Sequence, residues 1–214
     1  MNKITFQSVL PTVFAQRDDL QSELWGRQLT FEKGKTYLIE ADSGQGKSTF
    51  CSYVLGYRHD YSGEILFDAE PVTRYRVGKW VDVRKRHIAY LFQELRLFPE
   101  LTAYENVEIK NRLTGYKSRA QIVEWFEALG IADKLDAKVA LLSFGQQQRV
   151  AMIRALSQPF DFLLADEPIS HLDDHNAAVM GRLMVDEAQR QGAGVIITSI
   201  GKHIDIHYDQ IIRL

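Results

Sequence analysis

Ala41-Asp42-Ser43-Gly44-Gln45-Gly46-Lys47-Ser48-Thr49 is the stretch whose reading decides the fold. It follows Tyr37-Leu38-Ile39, a short apolar run of the kind buried on both faces in a parallel sheet. It precedes a stretch over 48–55 that reads as a helix closed by Gly56. Strand, glycine-rich turn and helix in that order are the setting a phosphate-binding loop requires. Gly44 and Gly46 let backbone N–H groups approach phosphate oxygens, and the helix N-terminus adds partial positive charge. Lys47 supplies a point charge to the β and γ phosphates, and the Ser48 hydroxyl suits Mg²⁺. Ser43, Gln45 and Thr49 are counted with the same nucleotide-binding set. Ala41 stands where the full pattern G-x-x-x-x-G-K-[ST] has its first glycine, a departure costing about 1–2 kcal/mol if that position needs a left-handed backbone. Asp42 has the wrong sign for phosphate and is expected to point outward.

Outward from the loop, Ile4-Thr5-Phe6 and Leu29-Thr30-Phe31 alternate as half-buried strands do. Further strands are expected over 36–40, 63–67, 87–92, 160–165 and 194–198, with a helix near 176–190. From about 103 to 141 the pattern is helical; Ile122, Val123, Phe126 and Leu129 are spaced for one buried face before Gly130. Strands alternating with helices predict an α/β fold with a mostly parallel sheet and an antiparallel β part at the N-terminal end. The middle is expected to be an inserted helical lobe. One domain is expected over 1–214, its core about 1–93 and 143–214 and its lobe about 94–142.

The second anchor is Phe162-Leu163-Leu164-Ala165-Asp166-Glu167-Pro168, an apolar run ending in two carboxylates. At the carboxyl end of a parallel strand they lie where such sheets bind ligands. Asp166 suits Mg²⁺ held through its water shell, and Glu167 suits a group that polarises water for attack on a γ-phosphate.

Between the anchors sits Leu142-Ser143-Phe144-Gly145-Gln146-Gln147-Gln148-Arg149, preceded by Leu91-Phe92-Gln93-Glu94 and followed by Ser170-His171-Leu172-Asp173. With the phosphate loop and the paired acids, these resemble the signature, Q-loop and D-loop of the ATP-binding-cassette (ABC) ATPases, in family order over essentially the whole chain. The resemblance implies a P-loop NTPase core that binds ATP with Mg²⁺. It assigns Ser143, Gly145, Gln146 and Asp173 to the nucleotide bound by the opposite subunit, and Gln93 to the Mg²⁺ or the attacking water. Two chains would then sandwich two ATP molecules head to tail, as a homodimer or with a similar cassette. The 95–107 segment resembles ATPases of lipoprotein-release and macrolide-export type. In transporters this region lines the groove that receives a helix of an integral membrane permease.

Three departures from the family pattern, Ala41, Phe144 and Ser199, bear on turnover. Phe144 replaces a small residue and either presses on the nucleotide or the partner's loop, or points into the lobe. Ser199 stands where the family has a histidine contacting the γ-phosphate; it can donate one hydrogen bond but carries no charge. His203, four residues on, either swings in or is solvated at a helix start. Slow hydrolysis, or hydrolysis completed by a partner, is the expectation. Phe14 is the expected adenine-stacking aromatic and Trp25 its rival, because the stretch over 18–28 is long enough to fold over the base.

The 214 residues carry 26 Lys and Arg against 28 Asp and Glu, a formal net charge of −2. That balance gives no electrostatic footprint for nucleic acid. Arg84-Lys85-Arg86 reads as a short solvated basic run. Cys51, the single cysteine, reads as a packing residue, and the start of the chain has no basic-then-apolar leader. No apolar run approaches the roughly 18–20 residues needed to cross a bilayer. The expectation is a cytoplasmic protein peripheral to the membrane, driving a transporter whose spanning chain sets the cargo. A soluble ABC ATPase of cluster-assembly type and a weakly hydrolysing ATP sensor are the alternatives.

Overall fold

Leu38, Leu163, Leu164, Ala165 and Ile196 are completely buried, so their backbones must find hydrogen-bond partners inside the protein. They do so in a parallel sheet. The computed structural model describes residues 1–17 and 20–214, and within these the strands form two sheets. The parallel sheet has the order β6-β7-β8-β3-β9, from β3 (Thr36–Glu40), β6 (Ile88–Leu91), β7 (Phe162–Asp166), β8 (Gly194–Ser199) and β9 (Gln210–Arg213). The antiparallel sheet has the order β2-β1-β4-β5, from β1 (Lys3–Pro11), β2 (Gln28–Glu32), β4 (Tyr61–Phe67) and β5 (Glu70–Pro71). The expected strands are all present. β9 escaped the sequence reading because Gln210-Ile211-Ile212-Arg213 is a short edge strand with only Ile212 buried.

The register fixes what the two anchors can reach. Asp166 pairs with Thr198 and Glu40 with Ser199, so the carboxyl ends of β7, β8 and β3 finish at one level. The phosphate loop leaves β3 at that level and enters α1 (Lys47–Val54). Phe50, Cys51, Tyr53 and Val54 of α1 are buried between the two sheets. The Phe50 ring packs 5.3 Å from Phe6 and 5.4 Å from Phe31, close contacts that clamp the loop's helix onto the antiparallel sheet.

On the other face of the parallel sheet lie α3 (Ala103–Asn111), α4 (Arg119–Ala128), α5 (Phe144–Leu156) and α6 (Asp174–Gln191). Capping boxes Thr102 with Glu105 and Ser118 with Gln121 start α3 and α4 by satisfying free N–H groups. Ile122, Trp125, Phe126 and Leu129 form the buried stripe of the α4 segment; Trp125 takes the place expected of Val123, which is half-buried. The lobe shares one hydrophobic cluster with the sheet, joining Val107 and Phe126 to Leu38 and Leu163.

The basic run is not simply solvated. After α2 (Val77–Asp82) the chain makes a wide turn over Val83–His87. There the Arg84 guanidinium donates to the Leu55 carbonyl at 3.0 Å and lies over the Tyr57 and Trp80 rings. The backbone turn, more than the charge, decides where it points.

A buried ion pair ties the lobe to α6: the Lys117 ammonium lies 2.7 Å from a Glu187 oxygen, with Lys117 7% and Glu187 0% exposed. Removing one partner strands a desolvated charge. Glu187→Ala is expected to lower stability by about 3–5 kcal/mol in urea denaturation followed by circular dichroism. An unchanged midpoint would show that the pair does not hold the lobe.

Candidate nucleotide site

The loop between β3 and α1 wraps a cleft of about 280 Å³, lined among others by Val13, Phe14, Ser43, Gly44, Lys47, Ser48, Thr49, Gln93 and Glu167. Gly46 precedes α1 with φ of +101°, and a Cβ there would stand 3.0 Å from both the Phe14 ring and Trp25 Nε1. Glycine is required on both counts. Ala41 does not adopt a left-handed conformation, so the missing first glycine carries no backbone strain. Its N–H donates to the Ser199 carbonyl, and Asp42 is exposed as expected.

Lys47 is 6% exposed. Its ammonium donates to the carbonyls of Ala41 at 2.8 Å and Asp42 at 3.0 Å, and stands 3.8 Å from Glu167 Oε1. These contacts compensate the desolvation of the charge. A phosphate entering the cleft competes for the same protons.

At the end of β7, Asp166 is 3% exposed and both of its oxygens are engaged. The Thr198 hydroxyl donates to one at 2.5 Å and the Tyr90 hydroxyl to the other at 3.2 Å. Burial raises the Tyr90 phenol far above its ordinary range, so it stays a donor. Cys51 is buried against this pair with its thiol pushed up by desolvation, the packing role expected of it. Glu167 has a left-handed backbone, φ +49°, a strained conformation for glutamate. Its N–H donates to the Thr198 carbonyl, and its Oε2 accepts from Gln93 Nε2 at 3.2 Å. Partial burial raises the Glu167 carboxyl above its ordinary value, an effect the nearby Lys47 charge only offsets.

The switch position differs from expectation. Ser199 is 4% exposed, and its hydroxyl donates to the Lys202 carbonyl at 2.5 Å, turned from the cleft. Ile200 forms that wall. His203 is neither swung in nor simply solvated: its Nε2 lies 2.7 Å from Glu40 Oε1. The tight turn over 199–202 decides both placements, and residue spacing alone does not show it.

Of the two aromatic candidates, Phe14 lines the cleft, and the Arg17 guanidinium lies 5.6 Å from its ring centroid. Trp25 is buried behind the loop and donates from Nε1 to the Gln45 carbonyl at 3.2 Å, so it supports the loop and offers no stacking face. Asp18 and Asp19, at the start of the stretch expected to fold over the base, lie outside the described residues.

The remaining predicted residues stand away from this cleft. Ser143 caps α5, its hydroxyl accepting from Gln146 N at 3.3 Å while the Gln146 side chain accepts from Ser143 N at 2.9 Å. A Cβ on Gly145 would approach the Leu172 side chain at 3.3 Å. Phe144 does not enter the lobe: it is 44% exposed and meets the His171 ring edge to face at 4.5 Å. Asp173 caps α6, and its bonds from the Asn176 N–H and amide hold its carboxyl below the ordinary range. Tyr90 and Ile200 are site residues that the sequence reading missed, and Trp25, expected as a stacking rival, instead supports the loop. Only the aromatic two residues before Phe92 hinted at Tyr90.

A phosphate loop, a strand-end acid pair and a capped helix in this arrangement define an ATP-binding cassette. The family model described as ABC transporter matches residues 24–170. The chain belongs to this family, whose ATPase core hydrolyses ATP. It is 32% identical over 196 residues to the uncharacterized ABC transporter ATP-binding protein YbbA of Escherichia coli K12, covering 90% of this chain and 86% of YbbA. It is 31% identical to the lipoprotein-releasing system ATP-binding protein LolD of Alcanivorax borkumensis, covering 89% and 85%. The macrolide export ATP-binding/permease protein MacB of Shewanella sp. ANA-3 is 34% identical over 190 residues; the chain spans 29% of its length. Among solved structures, the dimeric bacterial ABC transporter cassette MJ0796 superposes with a TM-score of 0.77 at 27% identity, covering 92% of this chain and 87% of that one. Among the described residues no helix is long and apolar enough to cross a membrane.

The raised Glu167 carboxyl gives a pH dependence. Below its folded-state pKa the group is neutral and cannot polarise water, so ATP turnover should rise with pH through a value above that of an ordinary glutamate. Steady-state phosphate release should show this rise in the parent and none in Glu167→Gln; identical profiles would remove Glu167 from the reaction.

Proposed function

We propose that the chain is the ATP-hydrolysing motor of a membrane transporter, working as a head-to-tail pair of cassettes at the inner face of the membrane. The observation that carries this is a second cleft, of about 310 Å³, whose wall includes Phe92, the neighbour of Gln93. Its apolar side chains include Tyr57, Phe98, Ile109 and Leu113, each 44–51% exposed. Arg84, Arg96, Lys110 and Arg154 stand among them, with no carboxylate among the described lining residues. Burial depresses Lys110 to about 8 and Arg154 to about 10. An apolar trough ringed by cations, with Arg96 paired to Glu94 at 3.7 Å, fits an amphipathic helix bearing an acidic side chain, supplied by a spanning subunit. Cargo then depends on that subunit; the relatives are named for lipoprotein release and for macrolide export.

The groove is coupled to the chemistry through few residues. Arg154 donates to the carbonyls of Leu95 and Arg96, whose backbones are left-handed at φ +59° and +49°. Movement of this strained turn shifts Gln93, which holds Glu167. Glu167 then orients water in line with the γ-phosphate, while Lys47 and the loop N–H groups neutralise charge on the phosphates. Ser48 and Gln93 line the cleft as oxygen donors that would hold Mg²⁺, a hard cation that would neutralise developing phosphate charge, while Asp166, whose oxygens accept from Thr198 and Tyr90, would reach it only through water. In the partner-facing site, Ser143, Gly145, Gln146 and Asp173 serve the other copy's nucleotide. Phe14 stacks on adenine. With Ser199 turned away and His203 held by Glu40, the γ-phosphate lacks an imidazole, so turnover is slow.

Two measurements test this. Ser199→His should raise phosphate release several-fold, and Glu40→Gln should not lower it; a fast parent indifferent to Ser199→His contradicts slow turnover. In cells, Lys110→Glu with Arg84→Glu should move the folded protein from the membrane fraction to the soluble one, whereas unchanged fractionation would refute docking at the groove.

A further inference from the structure

The left-handed backbone of Glu167, φ +49°, persists only if the chain is held on both sides of it. On the amino side the Glu167 N–H donates to the Thr198 carbonyl at 3.1 Å. On the other side stands Pro168, which is buried, has no N–H and has φ fixed by its ring, so its carbonyl is the backbone group left to anchor the chain leaving Glu167. That carbonyl accepts from Gln148 Nε2 at 2.7 Å. Gln148 lies on α5 and is 2% exposed, and its Oε1 is buried with no hydrogen-bond partner among the described residues. An unpaired buried oxygen lowers stability, and an apolar side chain in the same space would avoid it. The amide therefore stands there for its donor. Other contacts of α5 hold the loop further on: Phe144 meets the His171 ring, Leu172 lies against Gly145, and the Arg149 guanidinium donates to Asn176 at 2.9 Å. Gln148 reaches back to the residue next to the acid.

We propose that Gln148 is a positioning residue for ATP hydrolysis, aiming the Glu167 carboxylate at the attacking water through the Pro168 carbonyl. It touches neither nucleotide nor water, since it is buried and does not line the cleft. Without its bond the peptide leaving Glu167 is free to turn, the left-handed residue relaxes, and the carboxylate moves off the line of attack. Nucleotide binding rests on the loop over 41–49, which Gln148 does not contact, so the loss falls on kcat and spares KM. This role rests on Glu167 orienting the water, as proposed above. A matched buried amide exists elsewhere in the chain. Gln158 is 0% exposed, donates from Nε2 to the Ile88 carbonyl at 3.1 Å, and also has a buried Oε1 with no partner among the described residues. Ile88 begins β6 and pairs with Phe162 at the start of β7, at the end of the sheet away from the acids.

The test is phosphate release by the purified full-length chain with Mg²⁺ across an ATP series. Gln148→Met should lower kcat by about tenfold or more while KM stays within about twofold of the parent. Gln148→Asn keeps the amide but falls one methylene short of the carbonyl, and it should lose kcat in the same way. Gln158→Met controls for the loss of a buried amide and should keep kcat within about twofold. Non-additivity separates aiming the acid from general damage: adding Gln148→Met to Glu167→Gln should slow the residual single-turnover hydrolysis no further, because the group it aims is already gone. A parent-like kcat in both Gln148 variants, an equal loss in Gln158→Met, or a further fall in the double variant would overturn the role while leaving Glu167 in place. So would failure of both Gln148 variants to melt cooperatively when Gln158→Met does, since the amide would then be structural. If Glu167→Gln hydrolyses ATP as fast as the parent, the assignment of Glu167 falls and that of Gln148 with it.

Discussion

The parallel pairing of β7, β8 and β3 is the constraint on which the rest depends. It brings Asp166 level with Thr198 and Glu40 level with Ser199, so three strand ends converge without any side chain having to reach far. The Thr198 hydroxyl reads that register directly, since it bonds Asp166 only when β7 and β8 are aligned as they are. A one-residue slip would place Thr198 on the opposite face and leave a carboxylate buried without its donor. The loop's own backbone is tied in as well, with Ala41 and Glu167 donating to the carbonyls of Ser199 and Thr198. Binding site and fold are therefore stabilised by the same ladder.

Around this frame the strain is local. Glu167 is held in a left-handed conformation next to buried Lys47, and Leu95 and Arg96 repeat the unfavourable backbone at the margin of the lobe. Gln93 lies between the two strained points and touches Glu167. Such positions persist only when their surroundings over-determine them, which here means the Arg154 guanidinium on one side and the Thr198 strand end on the other. A force applied at the groove thus has a short, discrete route to Glu167, the acid proposed to handle water.

Much of this was legible in the sequence, for a physical reason. Strand, glycine-rich turn and helix are encoded locally, so Gly44, Gly46, Lys47, Asp166 and Glu167 could be placed before any tertiary contact was known. Capping boxes are equally local, and Ser143 with Gln146 follows their spacing. What stayed hidden depends on turns whose geometry is set by packing: the direction of the Ser199 hydroxyl, the ion pair of His203 with Glu40, and the burial of Trp25 behind the loop. The Arg84 side chain is the same case, because a basic run predicts charge but not the wide turn that lays it over Trp80. The resemblance to a family carried the partner-facing roles proposed for Ser143 and Asp173, which one chain cannot display by itself.

At the level strand ends the Lys47 ammonium is expected to exchange its loop carbonyls for phosphate oxygens when nucleotide binds. Calorimetric titration of the purified chain with ATP and Mg²⁺ tests it most directly. One nucleotide per chain should bind, Glu167→Gln should retain that affinity, and Lys47→Met should weaken it by about tenfold or more, the equivalent of roughly 1.4 kcal/mol. Equal affinity in the parent and Lys47→Met would show that Lys47 does not hold the phosphates.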